Sequence, residues 1–382
     1  MKILGIESSC DETAASVVED GRILHSSVIV SQIDIHAVYG GVVPEVAARS
    51  HIEVINPVIN QALTDAKMTW DDIDAIAVTY APGLIGSLLV GTLAARTLAA
   101  LKNKPLYPIH HVEAHVYANF LTEVGVGGQE MGNGKWEGTE KARTNGLRFS
   151  TPLPSSQPLF PILALIVSGG HSQLVLFRDH GDYELLGQTQ DDAIGEAFDK
   201  VAKILGLPYP GGPSIAKAAL EGNPKAYQLP KAKMSGKYDF SFSGLKTAVL
   251  RAVQREVGVD FTFPSFELAD RLGERERQDF AASFQRTAIE TLVDVTERAY
   301  NDFQPKSVVI AGGVAANQEL RRILQKRLPS RIEYAPMSLC TDNAAMIASL
   351  AYYYAQKNQP VDPLEVEVVP SLSMTKTAWS NL

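Results

Sequence analysis

The sequence has few cysteines, few charged residues and no segment typical of secretion. Its two cysteines, Cys10 and Cys340, are too few for a disulfide framework, and nothing else in the chain indicates an oxidising compartment. Charged residues account for 20% of the 382 residues and the formal net charge is −8, which argues against coating of nucleic acid through bulk charge. Hydrophobic residues account for 45%, so disorder, collagen and coiled coil are excluded as descriptions of the whole chain.

Long apolar runs are also scarce, and only residues 84–101 form a run long enough to span a bilayer. This run contains Arg96 and small residues such as Gly86 and Gly91, which favour a buried or interface helix over a membrane span. The N-terminus turns polar too early for a secretory signal. We therefore expect a cytoplasmic protein, in which this helix lies either in the core or at a contact with a partner.

Two segments of the chain share one order of strand, polar turn, strand, hairpin turn and strand. The predicted strands are residues 2–6, 14–18 and 23–30, and residues 162–167, 173–177 and 183–189. A pattern that recurs after about 160 residues indicates a duplicated fold with one anion-facing hairpin turn in each half. The sequence therefore predicts an α/β protein with two related lobes.

The duplication and the composition between the repeats predict the domain boundaries. We expect an N-terminal lobe of residues 1–122 with 344–382, and a C-terminal lobe of residues 158–343. Residues 123–157 are rich in Gly, Ser, Thr and Asn and predict a flexible insertion. From Asn358 the tail is polar and contains proline, which predicts loose order.

Four turns rich in glycine or serine follow strands or precede helices: residues 8–13, 168–172, 209–213 and 311–317. Glycine lets backbone N–H groups approach an anion closely, so four such turns in a duplicated α/β chain favour a nucleotide cleft between the lobes. Each turn alone is also compatible with an ordinary connection. The chain lacks GxxxxGK[ST] and GxGxxG, which excludes a P-loop protein and removes the dinucleotide-binding fingerprint.

The run HHVEAH at residues 110–115 is a candidate metal site. On a helix His111 and His115 share one face and can bind one metal ion, although a pair of plain polar histidines is also compatible. A zinc peptidase of the HExxH type is disfavoured, because Val112 occupies the position of the catalytic Glu. Glu113 lies about 200° around the helix from His111 and cannot face the same metal.

Four acidic residues are further candidates: Asp11, Glu12, Asp199 and Asp342. Asp199 is also compatible with a solvated helix face. Asp342 is either a helix N-cap or a third ligand, whose oxygen beside two histidines would complete an open metal site of the catalytic type.

Eight motifs in this chain occur in the order of the universal Kae1/TsaD family, the tRNA N6-adenosine threonylcarbamoyltransferases, which the sequence resembles over nearly its whole length. The motifs are ESSCDET, HAVYGGVVPEVAARSH, HHVEAH, VSGGHS, GEAFDK, YPGGP, AGGVAAN and CTDNAAMIA. The resemblance implies an ASKHA fold, like that of actin, sugar kinases and Hsp70, with a central cleft between duplicated lobes. The chain departs from bacterial members by its extra length at residues 123–157, which interrupts no motif.

The resemblance implies transfer of a threonylcarbamoyl group from threonylcarbamoyl-adenylate to N6 of adenosine 37, in tRNAs that read codons beginning with A. It implies one divalent metal ion, Fe²⁺ or Zn²⁺, bound by His111, His115 and Asp342. It implies that the adenylate is bound by Ile166, Val167, Ser168, Gly169, Gly170, Asp199, Gly212 and Asn317. Beyond the resemblance, the first hairpin turn is expected to face the cleft, so Glu12 and Asp11 are our hypothesis for the base that takes the N6 proton.

The resemblance also implies partners: tRNA, a degenerate paralogue of the same fold that resembles TsaB, and a P-loop ATPase that resembles TsaE. The alternatives are a metal-dependent peptidase, which the position of Glu113 disfavours, and a non-catalytic scaffold or kinase of the ASKHA class. A scaffold has no need to retain HHVEAH, VSGGHS and CTDNAAMIA together.

Overall fold

The computed structural model describes residues 1–125 and 153–374, so most of the predicted flexible insertion lies outside the described residues. The strands are β1 Lys2–Glu7, β2 Glu12–Glu19, β3 Ile23–Ser31, β4 Ala75–Ala81, β5 Leu106–His110, β6 Glu123–Val124, β7 Ile162–Val167, β8 Ser172–Asp179, β9 Asp182–Gln188, β10 Ser307–Ala311 and β11 Ile332–Tyr334. The helices are α1 Ile33–Ala37, α2 Pro44–Asp65, α3 Ile85–Lys102, α4 His111–Tyr117, α5 Ile194–Ile204, α6 Gly211–Ala219, α7 Ser243–Glu256, α8 Glu274–Phe303, α9 Gln318–Arg327, α10 Met337–Cys340 and α11 Ala344–Ala355.

The strands form two sheets with the same internal order, and this confirms the predicted duplication. The first sheet has the order β5-β4-β1-β2-β3-β6 and the second β11-β10-β7-β8-β9. In each sheet the first strand of the hairpin, β1 or β7, pairs antiparallel with the next strand and parallel with a later strand, β4 or β10. The two hairpin turns, residues 8–11 and 168–171, therefore occupy equivalent places in the two lobes.

The central strands are buried along their whole length and are mostly apolar, because helices cover both faces of each sheet. All residues of β4, β7 and β10 are buried. The β2–β3 connection is a tight hairpin turn in which Asp20 and Gly21 both have positive φ, 51° and 67°, as a turn that matches the strand twist requires.

The metal-candidate helix α4 lies between the lobes. It begins at the end of β5 and contacts the second sheet through β7 and β10. Helix α11 returns the chain to the first lobe, where it packs on β1 and β2. This packing supports the expected grouping of residues 344–382 with the N-terminal lobe, although the domain boundaries remain a prediction.

The C-terminal segment corrects one expectation, because residues 358–374 pack along the first lobe. Half-buried Arg96 of α3 donates to the carbonyl oxygens of Pro363 and Leu364, both at 2.6 Å. The amide of Val369 donates to the carbonyl of Tyr80 at 2.9 Å, and Met374 is buried. A polar segment is ordered here because its backbone groups find partners on the protein.

Helix α3 is the one helix within residues 1–125 and 153–374 that is long and apolar enough to cross a membrane. It packs on α2 and β4, with its small residues turned inward: a Cβ on Gly91 would lie 2.3 Å from Ser8 Oγ. The exposed face carries instead Ile85, Leu89 and Leu93 at successive helical turns. Gly91 and Leu88 of α3 thus belong to the core, and Ile85, Leu89 and Leu93 form its exposed face.

Candidate metal centre and active-site cleft

Three predicted ligands meet at the junction of the lobes. The ligand atoms of His111, His115 and Asp342 all lie within 4.8 Å of one another. Asp342 Oδ1 is 3.5 Å from His111 Nε2 and 3.3 Å from His115 Nε2. Two histidines one turn apart on α4 thus face a carboxylate that lies over 200 residues later in the chain, and Glu113 is not part of this group.

Asp342 precedes α11 and does not cap it. The N-cap is Asn343, whose Oδ1 accepts from the amide of Met346 at 3.0 Å. The carboxylate of Asp342 is therefore available to face the histidines, and the N-cap alternative considered for this residue is wrong.

The donors in this cluster fit a transition metal. His115 is buried, and neither of its ring nitrogens has a hydrogen-bond partner among the described residues. A buried polar atom without a partner is costly, and a metal ion bound by His115 would remove that cost. Two imidazole nitrogens and one carboxylate oxygen suit iron or zinc and leave coordination positions for a substrate.

The carboxylates around the two histidines also favour positive charge at this cluster. Burial lowers the pKa of His111, but the charges of Asp342 and Glu7 outweigh it and raise that pKa to about 9. Burial raises the pKa of Asp342, but the charges of His111 and His115 hold it well below its usual range. Burial and then the charges of His111 and His115 lower the pKa of His171 to about 4, so His171 lies near the cluster.

The first hairpin turn faces the same cleft and is fixed by two helices. His51 of α2 contacts Thr13 Oγ1 through Nδ1 at 2.7 Å and the carbonyl of Cys10 through Nε2 at 3.0 Å. Ser87 of α3 also donates to the Cys10 carbonyl, at 3.0 Å. Burial, followed by the charges of Asp11 and Asp342, raises the pKa of Glu12 well above its usual range. The turn therefore brings two acidic residues close to the cluster.

The second hairpin turn has a hydrogen-bonded base and an open tip. The backbone amide of Ser168 donates to the carbonyl of His171 at 2.8 Å, and the amide of His171 donates to Ser168 Oγ at 3.1 Å. Gly169 and Gly170 are exposed, with open space where a Cβ would lie. Ile166 and Val167 are buried in β7, so only their backbone is available to a ligand.

Helix α5 begins directly against the second turn. A Cβ on Gly195 would lie 2.6 Å from the carbonyl oxygen of Ser168, so only glycine allows this close approach. One turn further along α5, Asp199 Oδ1 accepts from the amide of Gly211 at 2.7 Å. Burial raises the pKa of Asp199, and the charge of Asp11 adds to the effect, which indicates that the two lobes approach each other here.

Gly212 and Asn317 are the remaining residues predicted to bind the adenylate, and they differ in how far the protein itself already uses them. Gly212 is the second residue of α6 and has open space where a Cβ would lie. Asn317 already serves the protein: its Oδ1 caps α9 by accepting from Leu320, and its Nδ2 donates to Gln285 at 3.0 Å. Tyr209 was not predicted as a site residue. Burial and then the charges of Asp11 and Asp199 raise the pKa of Tyr209, which places it at the same cleft.

Two duplicated α/β lobes, equivalent hairpin turns and a cluster of ligands at the junction define a protein of the ASKHA class. Among solved structures, HypF from T. kodakarensis aligns with 93% of this chain and 48% of its own, with a TM-score of 0.58 and 12% identity. A full-length HypF structure aligns with a TM-score of 0.51 over 93% of this chain and 46% of its own, with 13% identity. These likenesses concern the fold alone.

The particular family follows from sequence comparison. The family model for TsaD, tRNA N6-adenosine threonylcarbamoyltransferase, matches residues 23–127 and 145–349. A protein of that name from Thermomicrobium roseum is 49% identical over 375 residues, which cover 96% of this chain and 95% of the relative. Another from Dehalococcoides mccartyi is 47% identical over 98% of this chain and all of the relative. The chain belongs to the TsaD family.

Proposed function

We propose that this protein transfers the threonylcarbamoyl group of threonylcarbamoyl-adenylate to N6 of adenosine 37 in tRNAs reading codons that begin with A. In this reaction N6 forms a bond to the carbamoyl carbonyl carbon, the bond from that carbon to the phosphate oxygen breaks, N6 loses a proton and AMP leaves. Family membership supports the transferase activity. The observation that carries the site is the meeting of His111, His115 and Asp342, with Ser9 of the first hairpin turn 3.1 Å from His111 Nδ1 and His171 of the second turn in the field of both histidines.

The residues of the second lobe bind the adenylate in this proposal. The backbone at Ile166 and Val167 and the turn Ser168–Gly169–Gly170 lie near the phosphate and the threonylcarbamoyl end, because the open glycine tip lets backbone N–H groups reach an anion. Asp199, Gly212 and Asn317 lie at the nucleoside. Because the side chain of Asn317 caps α9, Asn317 also fixes the position of the start of α9 beside the cleft.

His111, His115 and Asp342 hold one divalent metal ion, Fe²⁺ or Zn²⁺. When bound, the metal supplies Lewis acidity that polarises the carbonyl of the threonylcarbamoyl group. Glu12, with Asp11 beside it, takes the proton from N6. Burial and the charge of Asp11 raise the pKa of Glu12, which makes its carboxylate a stronger base.

The proposed partners are a TsaB-like paralogue and a TsaE-like P-loop ATPase. The proposed location is the cytoplasm, which is supported by tRNA as the substrate. We assign the paralogue contact to the exposed apolar face of α3, residues Ile85, Leu89 and Leu93, with Ile52 of the neighbouring helix α2. Ile52 and Ile85 are more than 60% exposed, an unusual state for large apolar residues on two helices that pack together.

Nucleoside analysis of tRNA after depletion of this protein tests the function in the cell. We expect threonylcarbamoyladenosine to fall, and to return when the wild-type chain is restored but not when the His111→Ala, His115→Ala double variant is. Normal levels of the modified nucleoside after depletion would contradict the proposal.

A further inference from the structure

A buried acidic residue, Glu7, lies behind the metal cluster. It is the first residue of the ESSCDET motif, but neither the family resemblance nor the proposed reaction gives it a role. Glu7 ends β1 with no exposed surface. Its Oε2 lies 3.0 Å from His111 Nδ1 and accepts from Thr79 Oγ1 at 2.5 Å. Its Oε1 accepts from the backbone amide of Ser9. The carboxylate is thus bound from three sides.

These contacts determine which nitrogen of His111 faces the ligand cluster. An ionised carboxylate only accepts hydrogen bonds, so the hydrogen in the 3.0 Å contact belongs to His111 Nδ1. The other nitrogen, Nε2, is the one that faces Asp342 at 3.5 Å. Ser9 Oγ, 3.1 Å from the same Nδ1, completes the pocket that holds the ring.

We propose that Glu7 is the positioning residue of the metal centre, which orients His111 so that Nε2 faces His115 and Asp342. The proposal rests on the proposed metal site. It fits the general arrangement in which a ligating histidine donates its other ring N–H to a carboxylate, which fixes the tautomer and the ring. The second histidine has no such support among the described residues, since His115 Nδ1 is without a partner there.

The same carboxylate connects the metal cluster to the first hairpin turn. Because Oε1 holds the amide of Ser9, Glu7 fixes the start of the turn that carries Asp11 and Glu12. Thr79 at the end of β4 in turn holds Oε2 in place. A change at Glu7 is therefore expected to alter the metal site and the position of the acidic turn together.

Binding of Co²⁺ to the metal-free full chain tests this role without adenylate or tRNA, and hence independently of transfer. We expect Glu7→Gln to weaken Co²⁺ binding about 10- to 100-fold and to shift the visible ligand-field bands, with Glu7→Asp restoring part of the affinity. The matched control is Glu113→Gln, a buried carboxyl on α4 outside the cluster, which should leave both the affinity and the bands unchanged.

Thermal unfolding of the metal-free variants separates positioning from loss of fold. If Glu7→Gln does not fold, Thr79→Val removes one support of the carboxylate and should still weaken Co²⁺ binding several-fold. If Glu7→Gln folds and keeps the wild-type Co²⁺ affinity and bands, the proposal is overturned. If Glu7→Gln does not fold, the same result in a folded Thr79→Val overturns it. An equal loss of Co²⁺ affinity in Glu113→Gln would also overturn it. A wild-type chain that binds no Co²⁺ would overturn the metal centre, and transfer assays would then still test the proposed function separately.

Discussion

The histidines of α4 differ in their surroundings, and this difference has measurable consequences. His111 is hydrogen-bonded behind the cluster, whereas both nitrogens of His115 lack a hydrogen-bond partner among the described residues. A buried side chain whose polar atoms find a partner only in a bound metal adds no hydrogen bond to the stability of the metal-free fold.

His115→Ala is therefore expected to lower the metal content from about one ion per chain to near zero while changing the stability of the metal-free protein by less than about 1 kcal/mol. Elemental analysis and thermal unfolding measure the two quantities. A variant that retains its metal, or that unfolds without metal, would show that His115 has a packing role instead.

Glu12→Gln removes the proposed base and keeps the shape of the side chain. We expect transfer from preformed adenylate to fall by about 10²- to 10⁴-fold, with adenylate binding retained, because general base catalysis contributes at that level. Asp34→Asn, an exposed carboxyl beyond the same hairpin, is the matched control. Full transfer by Glu12→Gln would remove Glu12 from the mechanism.

The residues that sequence patterns find are those whose partners are near in the chain. Helical spacing alone predicts that His111 and His115 share a face. Such patterns do not predict the contacts of Glu7 and His51. Glu7 contacts His111, which is 104 residues away in the chain, and His51 contacts Cys10, which is 41 residues away. The run of residues 36–51 was a signal for His51, but its contact depends on how α2 packs.

At the scale of secondary-structure elements, the observed bounds of buried strands agree closely with the predicted bounds. The bounds of polar or glycine-rich segments do not. Strand β7 has the predicted bounds, because a run of six apolar residues between turns is unambiguous. Apolar residues at helical spacing predict a helix from His51 to Ala66, whereas helix α2 begins at Pro44, since proline is favoured in a first turn. Helix α6 begins with Gly211 and Gly212, residues that indicate a turn when read locally.

The C-terminal segment is expected to contribute to stability through Arg96. Arg96→Ala should lower the free energy of unfolding by about 1.5–3 kcal/mol, because it leaves carbonyl groups of the segment without their charged donor. The control is Arg49→Ala, whose exposed pair with Glu45 is worth about 0.5 kcal/mol at most. Denaturant unfolding compares the two, and an equal effect would mean that the segment is loosely held.

Helix α3 allows its two faces to be tested separately. Gly91→Leu should destabilise the chain by about 1–3 kcal/mol or more, because the new side chain meets Ser8. Leu93→Asp, at a position 54% exposed, should leave the chain folded and weaken its complex with the TsaB-like partner. Unfolding curves and sedimentation measure these effects. Normal complex formation by Leu93→Asp and Leu89→Asp would exclude this face as the contact.

At the scale of the whole molecule, the duplication and a cleft between the lobes were predictable because both lobes repeat one strand pattern, whereas the contacts between the site residues in that cleft were not. The cleft depends on α4, the two hairpin turns and the α10–α11 connection meeting, and only the assembled lobes determine that meeting. With a net charge of −8, a local basic strip rather than bulk charge is expected to hold tRNA, and Lys231 and Lys237 are candidates for such a strip. Both form ion pairs with carboxylates of α8, which reduces the positive charge they present to tRNA.

Transfer in a purified system tests the central claim most directly. The metal-loaded chain, with its two proposed partner proteins, is mixed with preformed threonylcarbamoyl-adenylate and an unmodified tRNA that reads codons beginning with A. We expect threonylcarbamoyladenosine at position 37 and AMP in equal amounts, both dependent on His111, His115 and Asp342. Release of AMP without the modified nucleoside, or formation of neither product, would contradict the proposed transfer.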